Sequence, residues 1–160
     1  MVGLVALSVW LLSPNNPESI AGQEPDHYLI DNVAFTPPPA AVRQQIHLGG
    51  RSYPKSYILN LGCKAGSLTI GAPLHIEQYR MFTAVFGVPD NAASKSPLEY
   101  AVIVDGVTRA SGRVSLGQAQ RVTVPLDNAR EILVRSSSSA VPPSENCDAA
   151  ALGVGNPGFS

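Results

Sequence analysis

Alternating apolar and polar positions run through the middle of the chain. Residues 79–88 (YRMFTAVFGV) place Phe82, Ala84 and Phe86 on one side, and residues 98–104 (LEYAVIV) do the same with Leu98, Tyr100, Val102 and Val104. Successive side chains of an extended backbone point to opposite faces, so a sustained period of two predicts half-buried strands. Shorter runs at 42–48, 57–61, 67–70, 107–113, 120–126 and 131–135 predict further strands. Gly49-Gly50, Tyr53-Pro54, Gly62 and Gly66 break these runs, and Asp105-Gly106 between two apolar stretches is a strong hairpin signal. No convincing amphipathic helix interrupts them. Regular short strands joined by such turns predict an all-β sandwich or barrel of antiparallel strands.

The first residues follow a different pattern. Residues 2–12 (VGLVALSVWLL) are apolar and uncharged, and residues 13–26 (SPNNPESIAGQEPD) form a polar spacer without periodicity. A spanning helix needs about 20 apolar residues, so the leader is expected to be either part of a transmembrane segment or a signal sequence, with a buried element of the fold as the alternative. The expected organisation is a leader at 1–12, a linker at 13–26 and a sandwich domain at 27–160.

Composition narrows the partners. Charged residues make up 14% of the chain, with 14 Gly and 14 Pro, as suits many short strands and turns. The formal charge of −1 and the absence of any Lys/Arg cluster argue against nucleic acid. The two cysteines, Cys63 and Cys147, lack CxxC spacing, which removes the usual zinc and dithiol readings. An exported chain is expected to join them in a disulfide; two buried thiols are the alternative.

Five segments in order carry a family resemblance: IHLGGRSYPKSYIL at 46–59, YRMFTAVFGVPDN at 79–91, LEYAVIVDGVTRASG at 98–112, VTVPLDNAREILVR at 122–135 and CDAAALGVGNP at 147–157. Together they resemble the NPCBM-like domain, a carbohydrate-binding module associated with glycoside hydrolase family 98, over roughly residues 42–157. The resemblance implies a jelly-roll sandwich of the galactose-binding-like superfamily and a glycan as partner. Members often carry a His and a Trp near the terminal Asp-x-Ala segment, whereas this chain has Glu145, Asn146 and Cys147 before Asp148.

Catalytic chemistry is thin. His27, His47 and His75 sit in no nucleophile or metal motif, and Asp90, Glu99 and Asp105 belong to turns and strand ends rather than to a facing carboxylate pair. The chain is therefore expected not to be an enzyme. A sugar-binding surface needs a ring to pack the C–H face of a pyranose and polar groups for its hydroxyls. Tyr79, Phe82, Phe86 and Tyr100 fall at strand-period positions and are expected in the core. Tyr53 and Tyr57, flanking Pro54-Lys55-Ser56, are the expected loop platform, with Lys55, Arg80 and Arg109 as donors. No cofactor is expected, although Asp90 and Asn91 are candidates for a structural calcium ion, with plain turn chemistry as the alternative.

These features lead to the expectation of a non-catalytic binding module outside the cell or at its surface, with a possible membrane anchor. Its ligand is expected to be a glycan. The alternative is a sensory or protein-interaction ectodomain that meets a cell-surface protein and has no sugar site.

Overall fold

The computed structural model describes residues 24–62, 65–72, 74–138 and 150–160. The apolar leader, Cys63 and Cys147 fall outside these residues, and with them the expected anchor and disulfide. Among the described residues no helix is long and apolar enough to cross a membrane.

The described chain is built from strands β1 (His27–Tyr28), β2 (Ala41–Arg43), β3 (Ile46–Leu48), β4 (Arg51–Tyr53), β5 (Tyr57–Gly62), β6 (Ala65–Ile70), β7 (Met81–Gly87), β8 (Leu98–Val104), β9 (Val107–Val114), β10 (Ala119–Pro125), β11 (Ile132–Ser138) and β12 (Ala150–Phe159). Single 3-10 turns at Leu29–Asp31 and Ile76–Gln78 lie between them. The larger sheet runs β10-β7-β12-β5-β2, with β1 also on β12, and the smaller runs β6-β11-β8-β9. Pairing within both sheets is antiparallel. The expected antiparallel β-sandwich is the fold observed.

The core lies where the two inward faces meet. Phe82, Ala84 and Phe86 of β7 are fully buried against Val102, Ile132 and Val134 of the smaller sheet, and Leu98, Tyr100 and Val104 complete that inner row. Tyr100 bridges the sheets: its ring stacks on Phe86 with centroids 4.6 Å apart, and its hydroxyl donates to Gln120 Oε1 at 2.6 Å. The β8–β9 hairpin turns at Asp105 and Gly106, whose φ values of 47° and 81° suit a two-residue turn with both positions left-handed. Asp105 also accepts the N–H groups of Arg130 and Glu131, tying the β10–β11 connection to this turn.

Two elements differ from the sequence expectation. The run at 42–48 is not one strand: β2 joins the larger sheet, while β3 pairs with β4 as a separate hairpin. Ile46, Leu48 and Tyr53 of that hairpin cover Val85 on the outer face of β7, which is why β7 is buried on both sides. The other is β12, for which the Gly-, Asn- and Pro-bearing sequence offered no strand signal. A side chain at Gly153 would meet Leu48 at 2.7 Å, so the bare backbone is what lets the hairpin settle onto the sheet.

Candidate functional site

The first strand runs along β12 beyond the point where β5 ends. His27 pairs with Phe159 and Tyr28 with Gly158, whereas β5 pairs only from Ala150 to Val154. This placement brings Asp26, His27, Tyr28, Asp31 and Asn32 beside Tyr79 and Phe159, and together they line a cleft of ≈ 340 Å³. One wall is aromatic. Tyr79 lies parallel to Phe159, with centroids 4.7 Å apart and planes 12° apart, and His27 leans on Tyr79 at 5.5 Å. The other wall is polar: Asp26 and Asp31 are exposed, and Asn32 accepts the Ala34 N–H through Oδ1 at 3.0 Å, leaving its amide NH₂ as a donor.

The segment is held from both sides. Glu24 accepts from Arg121 Nη2 at 3.0 Å and from the Tyr28 hydroxyl at 3.2 Å. Burial pushes the Glu24 carboxyl up, but the hydrogen bond and charge of Arg121 outweigh it and hold the group below its ordinary value. Burial, together with the Glu24 charge, pushes the Tyr28 phenol up, so it stays neutral and donates. Pro25 is buried. The folded unit thus includes residues 24–26, which the sequence reading assigned to the linker.

Of the residues expected to bind a ligand, only Lys55 reaches this cleft, while Tyr79, expected in the core, is half-buried and lines it. Lys55 Nζ lies 2.5 Å from Asp31 Oδ2 and 4.4 Å from the centre of the Tyr28 ring, so it braces the wall. The expected exposed platform of Tyr53 and Tyr57 is not formed, since both rings are buried, at 6% and 0% exposure. Tyr53 packs in the outer hairpin cluster, and Tyr57 meets Phe35 edge-on in the main core. Burial pushes the Tyr57 phenol up. The turn between them is pinned rather than free: Asn156 Oδ1 accepts the Lys55 N–H at 3.0 Å, and its own N–H donates to Ser56 Oγ at 3.1 Å. Asn156 sits at φ 44° within an irregularity of β12, a left-handed conformation that Asn tolerates.

Arg80 and Arg109 are exposed but do not converge on one site. Arg80 follows Tyr79, and Arg109 occupies an irregularity of β9 in the other sheet. Asp90 takes the turn role: Oδ1 and Oδ2 accept the N–H groups of Gly49 and Gly50, each at 2.8 Å. Among the described residues no group of three or more His, Cys, Asp or Glu gathers as a metal cluster. His75 lies in a second cleft with Ala72, Glu77, Asn128 and Arg130, where no aromatic ring contributes. His47 is exposed on β3.

The cleft residues missed from sequence are Asp26, His27, Tyr28, Asp31 and Asn32. Their signal was the run DHYLIDN at 26–32, two aromatic rings among acids and an amide, lying directly on the boundary drawn for the linker.

No protein-family model matches the chain, and no curated protein sequence matches it. Solved structures do. The second CBM51 module with the INT domain of Clostridium perfringens ZmpB is similar at a TM-score of 0.57 and 16% identity, covering 73% of this chain and 25% of that one. The CBM51 module of a Clostridium perfringens family 95 glycoside hydrolase, solved with methyl-galactose, gives a TM-score of 0.57 at 12% identity over 74% of this chain and 80% of that one. Tandem CBM51 modules of a family 98 glycoside hydrolase from Streptococcus pneumoniae give 0.55 at 16% identity, covering 74% and 36%. The chain thus spans a quarter of the length of the ZmpB structure. The likeness is one of fold: an antiparallel β-sandwich.

Proposed function

We propose that this chain is a non-catalytic carbohydrate-binding module that works outside the cell or at its surface, and that a neutral saccharide seats in the cleft of Asp26, His27, Tyr28, Asn32, Tyr79 and Phe159. The observation that carries this reading is the meeting of the half-buried Tyr79 ring, backed by the buried Phe159, with the exposed Asp26 carboxylate and the half-buried Asn32 amide in one cleft. A pyranose offers C–H groups to the ring wall, while its hydroxyls donate to Asp26 and accept from the Asn32 amide. The fold supports the class of ligand, because similar modules have been solved with methyl-galactose and with GlcNAc. No reacting group is required of the chain: binding alone holds an attached or neighbouring protein on a glycan.

A glycan array followed by calorimetry on its strongest hits tests this proposal. Wild-type protein is expected to bind a neutral sugar, and Asp26→Ala and Asn32→Ala to weaken it about tenfold each, the cost of losing one charged or well-aligned hydrogen bond. Asp26 is exposed, whereas Asn32 is half-buried and its Oδ1 holds the Ala34 N–H, so thermal melting of both variants accompanies the calorimetry. The competing reading is a protein-interaction ectodomain without a sugar site. A blank array would decide for that reading.

A further inference from the structure

The smaller sheet turns a polar face outward, and its register sets two arginines over a floor of small residues. Along β8 the inward residues are Leu98, Tyr100, Val102 and Val104, so Glu99 and Ala101 point away from the core. Across that outer face Glu99 stands between Ser137 of β11 and Arg113 of β9, and Ala101 between Arg135 and Ser111. These six residues line a cleft of ≈ 490 Å³. Arg113 and Arg135 belong to adjacent rows on opposite sides of β8, roughly 10 Å apart across the strands and 7 Å along them by ordinary sheet spacing. Ala101 and Ser111, which share the cleft with them, have short side chains that leave it open. Neither guanidinium makes an ion pair among the described residues, even though Glu99 faces Arg113 directly in the register.

We propose that this outer face is a second ligand site, which takes the carboxylate of an acidic saccharide of the uronic acid type. A guanidinium is a planar fork whose paired N–H donors match a carboxylate, and two arginines against one glutamate leave the cleft net positive. Ser111 and Ser137 offer hydroxyls for those of the sugar, and Glu99 accepts from another. The cleft described above has the opposite character, because Asp26 and Asp31 line it. The carboxylate chemistry stands on Arg113 and Arg135 alone; that the carboxylate is carried on a saccharide rests on the function proposed above.

Calorimetry of the full chain with tetragalacturonate, with its methyl ester and with a sulfated oligosaccharide that lacks carboxylates tests the site. Wild-type protein is expected to bind the acid and not the ester, with affinity falling as salt rises. Arg135→Gln and Arg113→Gln are each expected to weaken binding by about tenfold or more, as loss of a charge-assisted pair requires, while Asp26→Ala leaves it unchanged. Thermal melting shows that the arginine variants remain folded, since both residues are exposed. Equal binding of acid and ester, or arginine variants that bind as wild type does, would overturn the proposal. A sulfated oligosaccharide that binds as tightly as the uronate would overturn the carboxylate assignment. Uronate binding that is lost in Asp26→Ala would move the ligand to the first cleft. A wild type that binds neutral sugar but no uronate would sink the second site and leave the first standing.

Discussion

Tyr79 and Phe159 stack with their planes 12° apart, joining the turn that leads into β7 to the last strand of the chain. Offset or parallel ring pairs contribute about 1 kcal/mol beyond the area they bury. Tyr79 is half-buried, so Tyr79→Ala is expected to lower stability by about 2 kcal/mol and to abolish binding of a neutral sugar. Tyr79→Phe keeps the stack and is expected to keep both. Urea unfolding of the two variants, read beside their calorimetry, separates the packing role from contact with the ligand.

Gly158 lets β1 approach. A Cβ there would meet the backbone oxygen of His27 at 2.4 Å and the Pro25 ring at 2.7 Å. Backbone cannot yield as a flexible side-chain tip does, so Gly158→Ala is expected to push residues 25–28 away from β12. None of the buried hydrophobic core side chains belongs to residues 26–28, although Leu29 follows directly. The expected outcome is a circular dichroism spectrum close to that of wild type, together with loss of sugar binding and faster amide exchange at Tyr28.

Acid should loosen the same segment. The Glu24 carboxyl is held below its ordinary 4.5 in the folded state, with the Arg121 hydrogen bond and charge overcoming the effect of burial. A carboxyl lowered on folding stabilises the native state above its unfolded value, and that contribution is lost as pH falls through the folded value. Stability measured from about pH 5 downward is therefore expected to fall more steeply in wild type than in Glu24→Gln. Curves of equal slope would show that Glu24 does not link the segment to pH.

Asp90 anchors the β3–β4 turn through the N–H groups of Gly49 and Gly50, and its own N–H donates to the His47 carbonyl at 2.9 Å. Loss of two charge-assisted hydrogen bonds in Asp90→Ala is expected to cost about 2–3 kcal/mol, with the largest rise in amide exchange at Gly49 and Gly50. A structural calcium ion at Asp90 and Asn91 is a proposal with its own reading: addition of calcium after EDTA would raise the melting temperature. An unchanged melting temperature would leave Asp90 to the turn, whose N–H groups it accepts through both carboxylate oxygens.

The strands were legible wherever one face is buried and the other wet. Leu98, Tyr100, Val102 and Val104 announce β8 because the pleat sorts them from Glu99 and Ala101. The Asp105-Gly106 turn was legible for a different reason, since few residue pairs adopt two left-handed conformations in succession. β12 was not legible, because its glycines serve close backbone approach to Leu48 and Tyr53, and that same composition elsewhere marks a loop. The platform assigned to Tyr53 and Tyr57 failed because a Pro-Lys-Ser turn suggests exposure, and nothing local reveals that Asn156, a hundred positions on, clamps it. The cleft itself is assembled from the start of the domain, the entry to β7 and the chain's last strand. The pairings of β1 and of β7 with β12 unite them, and no periodicity within any one segment encodes those pairings.

Nuclear magnetic resonance titration of the labelled chain with methyl-galactose, and then with N-acetylglucosamine, would locate a neutral sugar directly. Saturable shifts concentrated on His27, Tyr28, Asn32, Tyr79 and Phe159, reached in Asp26→Ala only at about tenfold more sugar, are the expected result. Shifts confined to residues outside this cleft, or a spectrum that neither sugar moves, would contradict the cleft as the place where this sandwich holds a glycan.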